Sequence, residues 1–164
     1  MKFSGAAHVY GDNIDTDRII PGKYTKTLDL STLADHVLED LDPEFRHKVK
    51  EGDILVAGKN FGCGSSREQA PLAIKKAGIA VVIAEDFARI FYRNAINIGL
   101  PIVEIGSHTI QASNQIEVDV LGGKVTDNTA DTSYKSIPLP SVMVDILKHG
   151  GLIEYLKTNK DYKL

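Results

Sequence analysis

The pattern of apolar and polar positions predicts one strand, loop and helix around which the chain is organised. An apolar run, Ile54–Ala57, leads into a loop over residues 60–67 that carries two glycines. Apolar positions at helical spacing follow over residues 69–77. The next apolar run, at residues 79–84, is continuous and predicts a strand buried on both faces. These patterns predict a strand–loop–helix–strand unit.

The same alternation continues towards the carboxyl terminus. Residues 87–97 predict a helix, with Asp86 as a candidate cap and with Gly99 and Pro101 after its end. Residues 102–105 predict a third strand. Strands that alternate with helices in this way are typical of a parallel α/β core with right-handed crossovers.

The flanking segments have different patterns. Residues 115–120 alternate with period two, and a hairpin turn at residues 121–124 leads into another short strand. The remaining predictions are a strand over residues 2–9 and helices over residues 31–39, 41–50, 140–148 and 152–156. No linker interrupts the pattern, so we expect residues 1–164 to form a single α/β domain with antiparallel additions to the parallel core.

Composition narrows the functional classes. The chain has 164 residues, of which 43% are hydrophobic and 25% charged, and its net charge is -3. Without a basic excess or a basic amphipathic segment, we expect neither nucleic acid nor a membrane surface as a partner. No apolar run approaches the roughly 18 residues of a spanning helix, and the N-terminus lacks the apolar segment of a signal peptide. We therefore expect a cytoplasmic protein.

The glycine-bearing loop carries the most specific chemistry. It lacks the lysine of a phosphate-binding P-loop and the third glycine of a dinucleotide loop, and it is not a Gly-x-Ser-x-Gly nucleophile elbow. Ser65 and Ser66 each stand three residues before a Glu or Gln, which is the spacing of a helix capping box. Arg67 opposes the dipole of the helix that follows, so helix stability alone does not account for it. The alternative is an anion held by Arg67, the serines and the loop amides.

Other candidate groups favour ordinary roles. Asn13, Asp15 and Asp17 have the spacing of a calcium loop, but the required glycine and terminal glutamate are missing, which favours local turns. Arg89 and Arg93 lie one helical turn apart and form a cationic patch or, as is more common for such a pair, a solvated face or ion-pair partners.

Cysteine and histidine usage excludes several site types. Cys63 is the only cysteine, which excludes an internal disulfide and a multi-cysteine metal site within the chain, and no nearby histidine is indicated that would activate its thiol. The five histidines show no metal-binding spacing.

Three long motifs resemble one known family. They are GDNIDTDRIIP at residues 11–21, GKNFGCGSSREQA at 58–70 and IAEDFARIFYRNAINIGLP at 83–101. Together they resemble the small subunit of the isopropylmalate dehydratase family, which is similar to the swivelling C-terminal domain of aconitase. The resemblance covers nearly the whole chain and implies a swivelling β/β/α domain that closes over a large subunit.

The resemblance also implies a reaction. A hydroxy-dicarboxylate is dehydrated and then rehydrated with its hydroxyl on the adjacent carbon, as in leucine biosynthesis. A [4Fe-4S] cluster on the large subunit acts as Lewis acid, and this chain binds no cofactor of its own. Small subunits of homoaconitase or of 2,3-dimethylmalate dehydratase would carry the same motifs. A stand-alone anion-binding module, which uses the same loop without catalysis, is the alternative from another class.

Site residues follow from the matching motif positions. Ser65 matches the serine base that removes and returns the carbon-bound proton. The residues that match substrate-binding positions or the substrate-selecting loop are Gly64, Ser66, Arg67, Tyr24, Thr25, Lys26 and Thr27. The residues expected to position these loops are Asp15, Thr16 and Asp17.

Two positions depart from the family pattern. An arginine at position 26 would imply a distal carboxylate on the substrate, and an apolar residue would imply an isopropyl group. Lys26 is compatible with either, since its ammonium binds a carboxylate and its stem packs against an alkyl group. Gln69 stands where the family often has histidine.

Overall fold

A seven-stranded mixed sheet forms the framework of the computed structural model, which describes residues 1–160. The strands are β1 (Lys2–Val9), β2 (Ile54–Ala57), β3 (Val81–Ala84), β4 (Ile102–Glu104), β5 (Gln115–Asp119), β6 (Lys124–Asp127) and β7 (Thr132–Lys135). Their order in the sheet is β4-β3-β2-β1-β5-β6-β7. The pairs β1–β2, β2–β3 and β3–β4 are parallel. The pairs β1–β5, β5–β6 and β6–β7 are antiparallel. The predicted α/β class, with a parallel core and antiparallel additions, is confirmed.

The parallel strands are buried on both faces, as their unbroken apolar runs predict. Alternate residues of β2 point into two separate cores. Leu55 and Ala57 pack with the helices, whereas Ile54 and Val56 pack with residues of β5 and β6. The antiparallel strands therefore cover the second face of the parallel core, and the sheet forms a half-barrel.

Strand β1 joins the two halves. Its residues from Ala7 to Val9 pair with β2, and its residues from Lys2 to Ala6 pair with β5. Strand β7 was not predicted from the sequence. It lies at the sheet edge, where its residues are exposed or only half-buried, so hydrophobic alternation is weak there.

The helices are shorter than the sequence pattern suggests in the first third of the chain. The α-helices are α1 (Thr16–Ile19), α2 (Phe45–Lys48), α3 (Gln69–Lys76), α4 (Arg89–Asn97), α5 (Ser141–Lys148) and α6 (Leu152–Asn159). The segment predicted as a helix over residues 31–39 is a 3-10 helix, Leu30–His36. Helix α1 overlaps the segment around Asp15 and Asp17, for which the sequence favoured local turns. Within residues 1–160, no helix combines the length and the apolar composition needed to cross a bilayer.

The predicted role of Asp86 as a helix cap is wrong. Ala88 occupies the N-cap of α4, which has no side-chain cap. The Asp86 carboxylate instead accepts a hydrogen bond from the Asn60 backbone N–H at 2.6 Å. It therefore ties the turn before α4 to the loop that follows β2.

Candidate functional site

The loops that follow β1, β2 and β3 lie side by side at the carboxyl edge of the parallel strands. The Gly62 N–H donates to the Ile14 carbonyl at 2.8 Å, which joins the second loop to the first. The Ala88 N–H donates to the Phe61 carbonyl at 2.9 Å, which joins the third loop to the second. Ligand sites in open α/β sheets commonly lie at this edge. The loop with the two serines is the central one of the three.

Helix α1 holds the serine loop by two hydrogen bonds from one residue. The backbone N–H of Thr16 donates to the Cys63 carbonyl at 2.9 Å, and its Oγ1 donates to the Ser65 carbonyl at 2.8 Å. Thr16 is 2% exposed, so water competes little for these bonds. Asp15 is the N-cap of α1 and accepts from the Arg18 N–H at 2.9 Å. These contacts supply a physical basis for the positioning role expected of Asp15 and Thr16.

The capping boxes predicted from Ser65 and Ser66 do not form. Helix α3 begins at Gln69, and its N-cap, Glu68, makes no side-chain cap hydrogen bond. The serines precede the helix by three or four residues, because the chain turns at Gly64 with a φ of 91° before the helix starts. Both serines are exposed, and neither hydroxyl has a hydrogen-bond partner within residues 1–160. The hydroxyls are therefore open to a ligand.

Consecutive backbone amides of the same turn are also open. The N–H groups of Gly64, Ser65 and Ser66 find no acceptor in the described part of the chain. Successive unpaired amides in a turn before a helix form a concave set of donors that suits an anion. The loop amides and the serine hydroxyls are thus exposed together.

Arg67 adds a cation that is held in place. Its Nη2 lies 2.7 Å from the Oδ1 of Asp17, on helix α1. Its Nη1 is buried and has no acceptor in the described structure. A Cβ built on Gly22 would lie 2.8 Å from this Nη1, so the guanidinium fits closely against a residue that has no side chain. Buried donors are rarely left without an acceptor, and an anionic ligand could supply one.

The substrate-selecting loop expected at Tyr24 to Thr27 lies next to these groups. Thr25 Oγ1 donates to the Gly22 carbonyl at 2.8 Å, so the loop continues directly from the residue packed on Arg67. Gln69 Nε2 approaches the Thr25 carbonyl at 3.5 Å, a long hydrogen bond from the first residue of α3. This contact is a structural role for Gln69 that the sequence did not indicate.

The remaining members of this loop differ in how they are held. Tyr24 is half-buried against the core, and Thr27 Oγ1 accepts from the Asp29 N–H at 3.1 Å. Lys26 is exposed, and its ammonium makes no hydrogen bond or ion pair to any residue between 1 and 160. Its charge is available to a ligand or to solvent.

The groups with calcium-loop spacing are each engaged elsewhere. The side chain of Asn13 accepts from Asn60 at 3.0 Å, that of Asp15 caps α1, and that of Asp17 binds Arg67. Over residues 1–160, no group of three or more His, Cys, Asp or Glu residues has the arrangement of a metal site.

Cys63 lies in the serine loop but is a poor nucleophile. Burial, with a smaller contribution from the Asp15 carboxylate, raises the pKa of its thiol. At neutral pH the thiol is therefore protonated, and the thiolate is the reactive form.

Arg89 and Arg93 lie on the exposed side of α4. Neither forms an ion pair with another described residue, so the ion-paired alternative has no support. Sequence reasoning did not select Gly22 and gave Gln69 only a capping-box position, because the contacts of both residues join segments more than forty residues apart.

Comparisons with known proteins agree with the motifs. The family model described as the aconitase C-terminal domain matches residues 12–107. A 3-isopropylmalate dehydratase small subunit of Caldicellulosiruptor saccharolyticus is 58% identical over 96% of this chain and 92% of its own length. A methanogen homoaconitase small subunit of Methanothermobacter thermautotrophicus is 52% identical over 91% of this chain and 88% of its own. A crystal structure of 3-isopropylmalate dehydratase from Methanocaldococcus jannaschii superposes with a TM-score of 0.93 at 47% identity, over 98% of this chain and 96% of that one.

Proposed function

The chain belongs to the aconitase C-terminal domain family, and from this premise we propose that it is the small subunit of a 3-isopropylmalate dehydratase. Such an enzyme is a hydro-lyase that interconverts 2- and 3-isopropylmalate and acts with a large subunit, on the leucine pathway. The names and the high identity of the relatives over nearly their full length support this assignment. We further propose that residues 1–164 form one swivelling domain and that the protein is cytoplasmic.

One observation carries the catalytic part of the proposal. Among residues 1–160, the exposed Ser65 hydroxyl has no hydrogen-bond partner, the amides of its turn have no acceptor, and the Arg67 guanidinium of the same loop has a donor without one. Ser65 is the base that removes the carbon-bound proton and returns it. A free serine hydroxyl is a weak base, because its alkoxide forms far above neutral pH. Donors aimed at the oxygen and a nearby cation stabilise the alkoxide and so lower the barrier to proton transfer.

The neighbouring groups bind the substrate. Ser66, Arg67 and the Gly64 amide hold one carboxylate, with Arg67 oriented by Asp17 and the loop held by Thr16. The loop from Tyr24 to Thr27 contacts the variable end of the substrate. In this proposal, this chain therefore carries out the proton transfer and binds the substrate carboxylate.

The donor set of the chain does not fit an iron–sulfur cluster of its own. A single cysteine, Cys63, cannot supply three thiolate ligands, and its raised pKa disfavours even one. We assign the [4Fe-4S] cluster, which would polarise the leaving hydroxyl, to the large subunit.

A second candidate substrate is favoured by Lys26. Its ammonium, which has no partner among residues 1–160, would suit a distal carboxylate, as in a homoaconitase small subunit, and one such subunit is 52% identical to this chain. Dimethylmalate is a further substrate of the same reaction type. A stand-alone anion-binding module would use the same loop without a partner subunit.

The proposal is tested by measuring turnover after this chain is mixed with its large subunit. The chain is combined anaerobically with its cluster-reconstituted large subunit, and formation of the unsaturated intermediate is followed from 2-isopropylmalate, homoisocitrate and dimethylmalate. We expect activity only on mixing, with 2-isopropylmalate preferred. Ser65→Ala should lower kcat by about 10²- to 10⁴-fold with assembly intact, whereas Ser133→Ala, at an exposed position of β7, should not.

Each other outcome has a distinct meaning. Normal turnover by Ser65→Ala would refute the serine base. Preference for another hydroxy acid would replace the substrate assignment but keep the reaction class. Failure to bind any large subunit, with anion binding retained, would favour the stand-alone module.

A further inference from the structure

A stacked pair of rings lies at the start of the substrate-selecting loop. The rings of Tyr24 and His36 are parallel to within 5°, with centroids 3.7 Å apart. Tyr24 also packs against the main hydrophobic core. The stack therefore joins the first residue of the loop Tyr24 to Thr27 to a residue twelve positions later in the chain.

His36 is itself fixed by an acidic partner. Its Nδ1 lies 2.8 Å from Oε2 of Glu39, whose Oε1 lies 4.0 Å from the Lys23 ammonium. Burial acts to raise the pKa of Glu39, but the hydrogen bonds to His36 and Tyr24 and the nearby His36 and Lys23 charges together outweigh it and hold the pKa below its ordinary value. The carboxylate thus stays charged and holds the imidazole in one orientation.

The segment that carries His36 and Glu39 is anchored in the core. Val37 and Leu38, which lie between them, are 1% and 0% exposed. The Leu38 N–H donates to the Ile19 carbonyl at 2.8 Å, and Ile19 is the last residue of α1. His36 is therefore held by the helix that also carries Asp17 and Thr16.

The loop itself has few other supports. Lys26 and residues 28–32 are exposed, and Leu28 is 100% exposed. The hydrogen bonds of Thr25 and Thr27 are local, apart from the long contact with Gln69. Among the described residues, the loop is therefore joined to the rest of the molecule chiefly through Tyr24, by its packing on the core and its stack on His36.

We propose that His36, oriented by Glu39, is a positioning residue for substrate selection. The stack fixes the Tyr24 ring and so sets the direction in which Thr25 and Lys26 leave the core. His36 does not touch the substrate and acts through Tyr24. This inference rests on the proposed function, because it assumes that the loop contacts the substrate.

Three variants distinguish the effect of the His36 ring from the effect of its hydrogen bond to Glu39. His36→Ala removes the stack, His36→Phe keeps an aromatic ring without the bond to Glu39, and Glu39→Gln keeps a hydrogen-bonding side chain without its charge. His47→Ala, at an exposed histidine of α2, is the matched control. Hydrogen exchange of the amides at residues 24–27 is measured in the small subunit alone, and steady-state kinetics in the assembled enzyme.

We expect His36→Ala to speed exchange at these amides and to raise KM by roughly two- to tenfold, with kcat changed by less than about twofold. His36→Phe should restore most of both properties, Glu39→Gln should have a smaller effect in the same direction, and the control should have none. A merely structural role would not separate KM from kcat in this way.

Several results would overturn the inference. One is unchanged exchange and unchanged KM in His36→Ala. Another is faster exchange with unchanged KM, since the stack would then order the loop without positioning substrate. Failure of His36→Phe to rescue a variant that folds normally would also contradict it. Failure of the proposed function would be recognised by a different result, which is normal turnover by Ser65→Ala.

Discussion

The Nη2 of Arg67 lies 2.7 Å from the Oδ1 of Asp17, and this ion pair joins the serine loop to helix α1. Asp17 is 63% exposed, so the pair contributes little to stability after solvent screening. Its consequence is geometric, because it fixes one edge of the guanidinium and leaves Nη1 for another partner. Arg67 is therefore oriented before any substrate binds.

Loss of this pair should weaken substrate binding. We expect Asp17→Asn to raise KM by roughly tenfold and to leave Tm nearly unchanged, because a misoriented Arg67 would lose much of its charged hydrogen bond to the substrate carboxylate, which contributes about 1.5–3 kcal/mol. Steady-state kinetics of the assembled enzyme measure the effect. Glu154→Gln is the matched control, because it removes the exposed partner of Lys157 on α6. An unchanged KM in Asp17→Asn would show that Arg67 keeps its orientation without the pair.

Gly22 should matter for activity far more than for folding. A Cβ at this position would lie 2.8 Å from Nη1 of Arg67, which is the end of a flexible side chain and can move away. We expect Gly22→Ala to raise KM severalfold, with a Tm within a few degrees of wild type. Gly11→Ala is the control, since a Cβ there meets no atom of the described residues within 4 Å. Equal kinetic effects in both variants would contradict the close fit of Gly22 to Arg67.

The sequence predicted the strands of the parallel core because burial on both faces leaves an unbroken apolar run. Ile54–Ala57 has the predicted bounds, and the run at residues 79–84 contains the observed strand Val81–Ala84. These patterns depend on residues close together in the chain. The location of the serine loop between a strand and a helix followed directly from them.

Features that depend on distant contacts were not predictable in the same way. The serines fit a capping box by spacing, but the turn at Gly64 starts the helix too late for either to cap it. The stack of Tyr24 on His36 and the fit of Gly22 to Arg67 arise only when separate segments pack together. No local pattern indicates these contacts.

Gly62 should be critical for folding. Its φ is 80°, a left-handed conformation, and a Cβ there would overlap the ring of Phe91 on α4. We expect Gly62→Ala to lower the free energy of unfolding by about 1–2 kcal/mol for backbone strain and by a further 1–3 kcal/mol for overpacking. Gly106→Ala isolates the first effect, because Gly106 has a φ of 68° and open space around it. Denaturant unfolding of both variants measures the difference, and equal losses would mean that Phe91 moves aside freely.

Cys63 should react slowly with thiol reagents. Burial, and to a lesser degree Asp15, raises its pKa, so the thiolate fraction at a given pH is smaller than for an ordinary cysteine. We expect the rate of alkylation to rise with pH and to reach its midpoint above that of a free cysteine. The rate is measured on the folded small subunit between pH 7 and about 10 and compared with the unfolded chain. A midpoint below that of the unfolded chain would show that the thiolate is stabilised instead.

Lys26 should decide which end group the enzyme prefers. Lys26→Arg supplies a guanidinium that can bind a distal carboxylate through two hydrogen bonds, so the kcat/KM ratio of homoisocitrate to 2-isopropylmalate should rise by roughly tenfold. Lys26→Val removes the charge and offers an apolar surface to an isopropyl group, so the same ratio should fall. The two substrates are assayed in parallel with each variant in the assembled enzyme. Lys124→Arg and Lys124→Val, at an exposed position of β6, are the matched controls and should leave the ratio unchanged. If neither Lys26 variant changes the ratio, the loop from Tyr24 to Thr27 does not contact the variable end of the substrate, and selectivity must come from the large subunit.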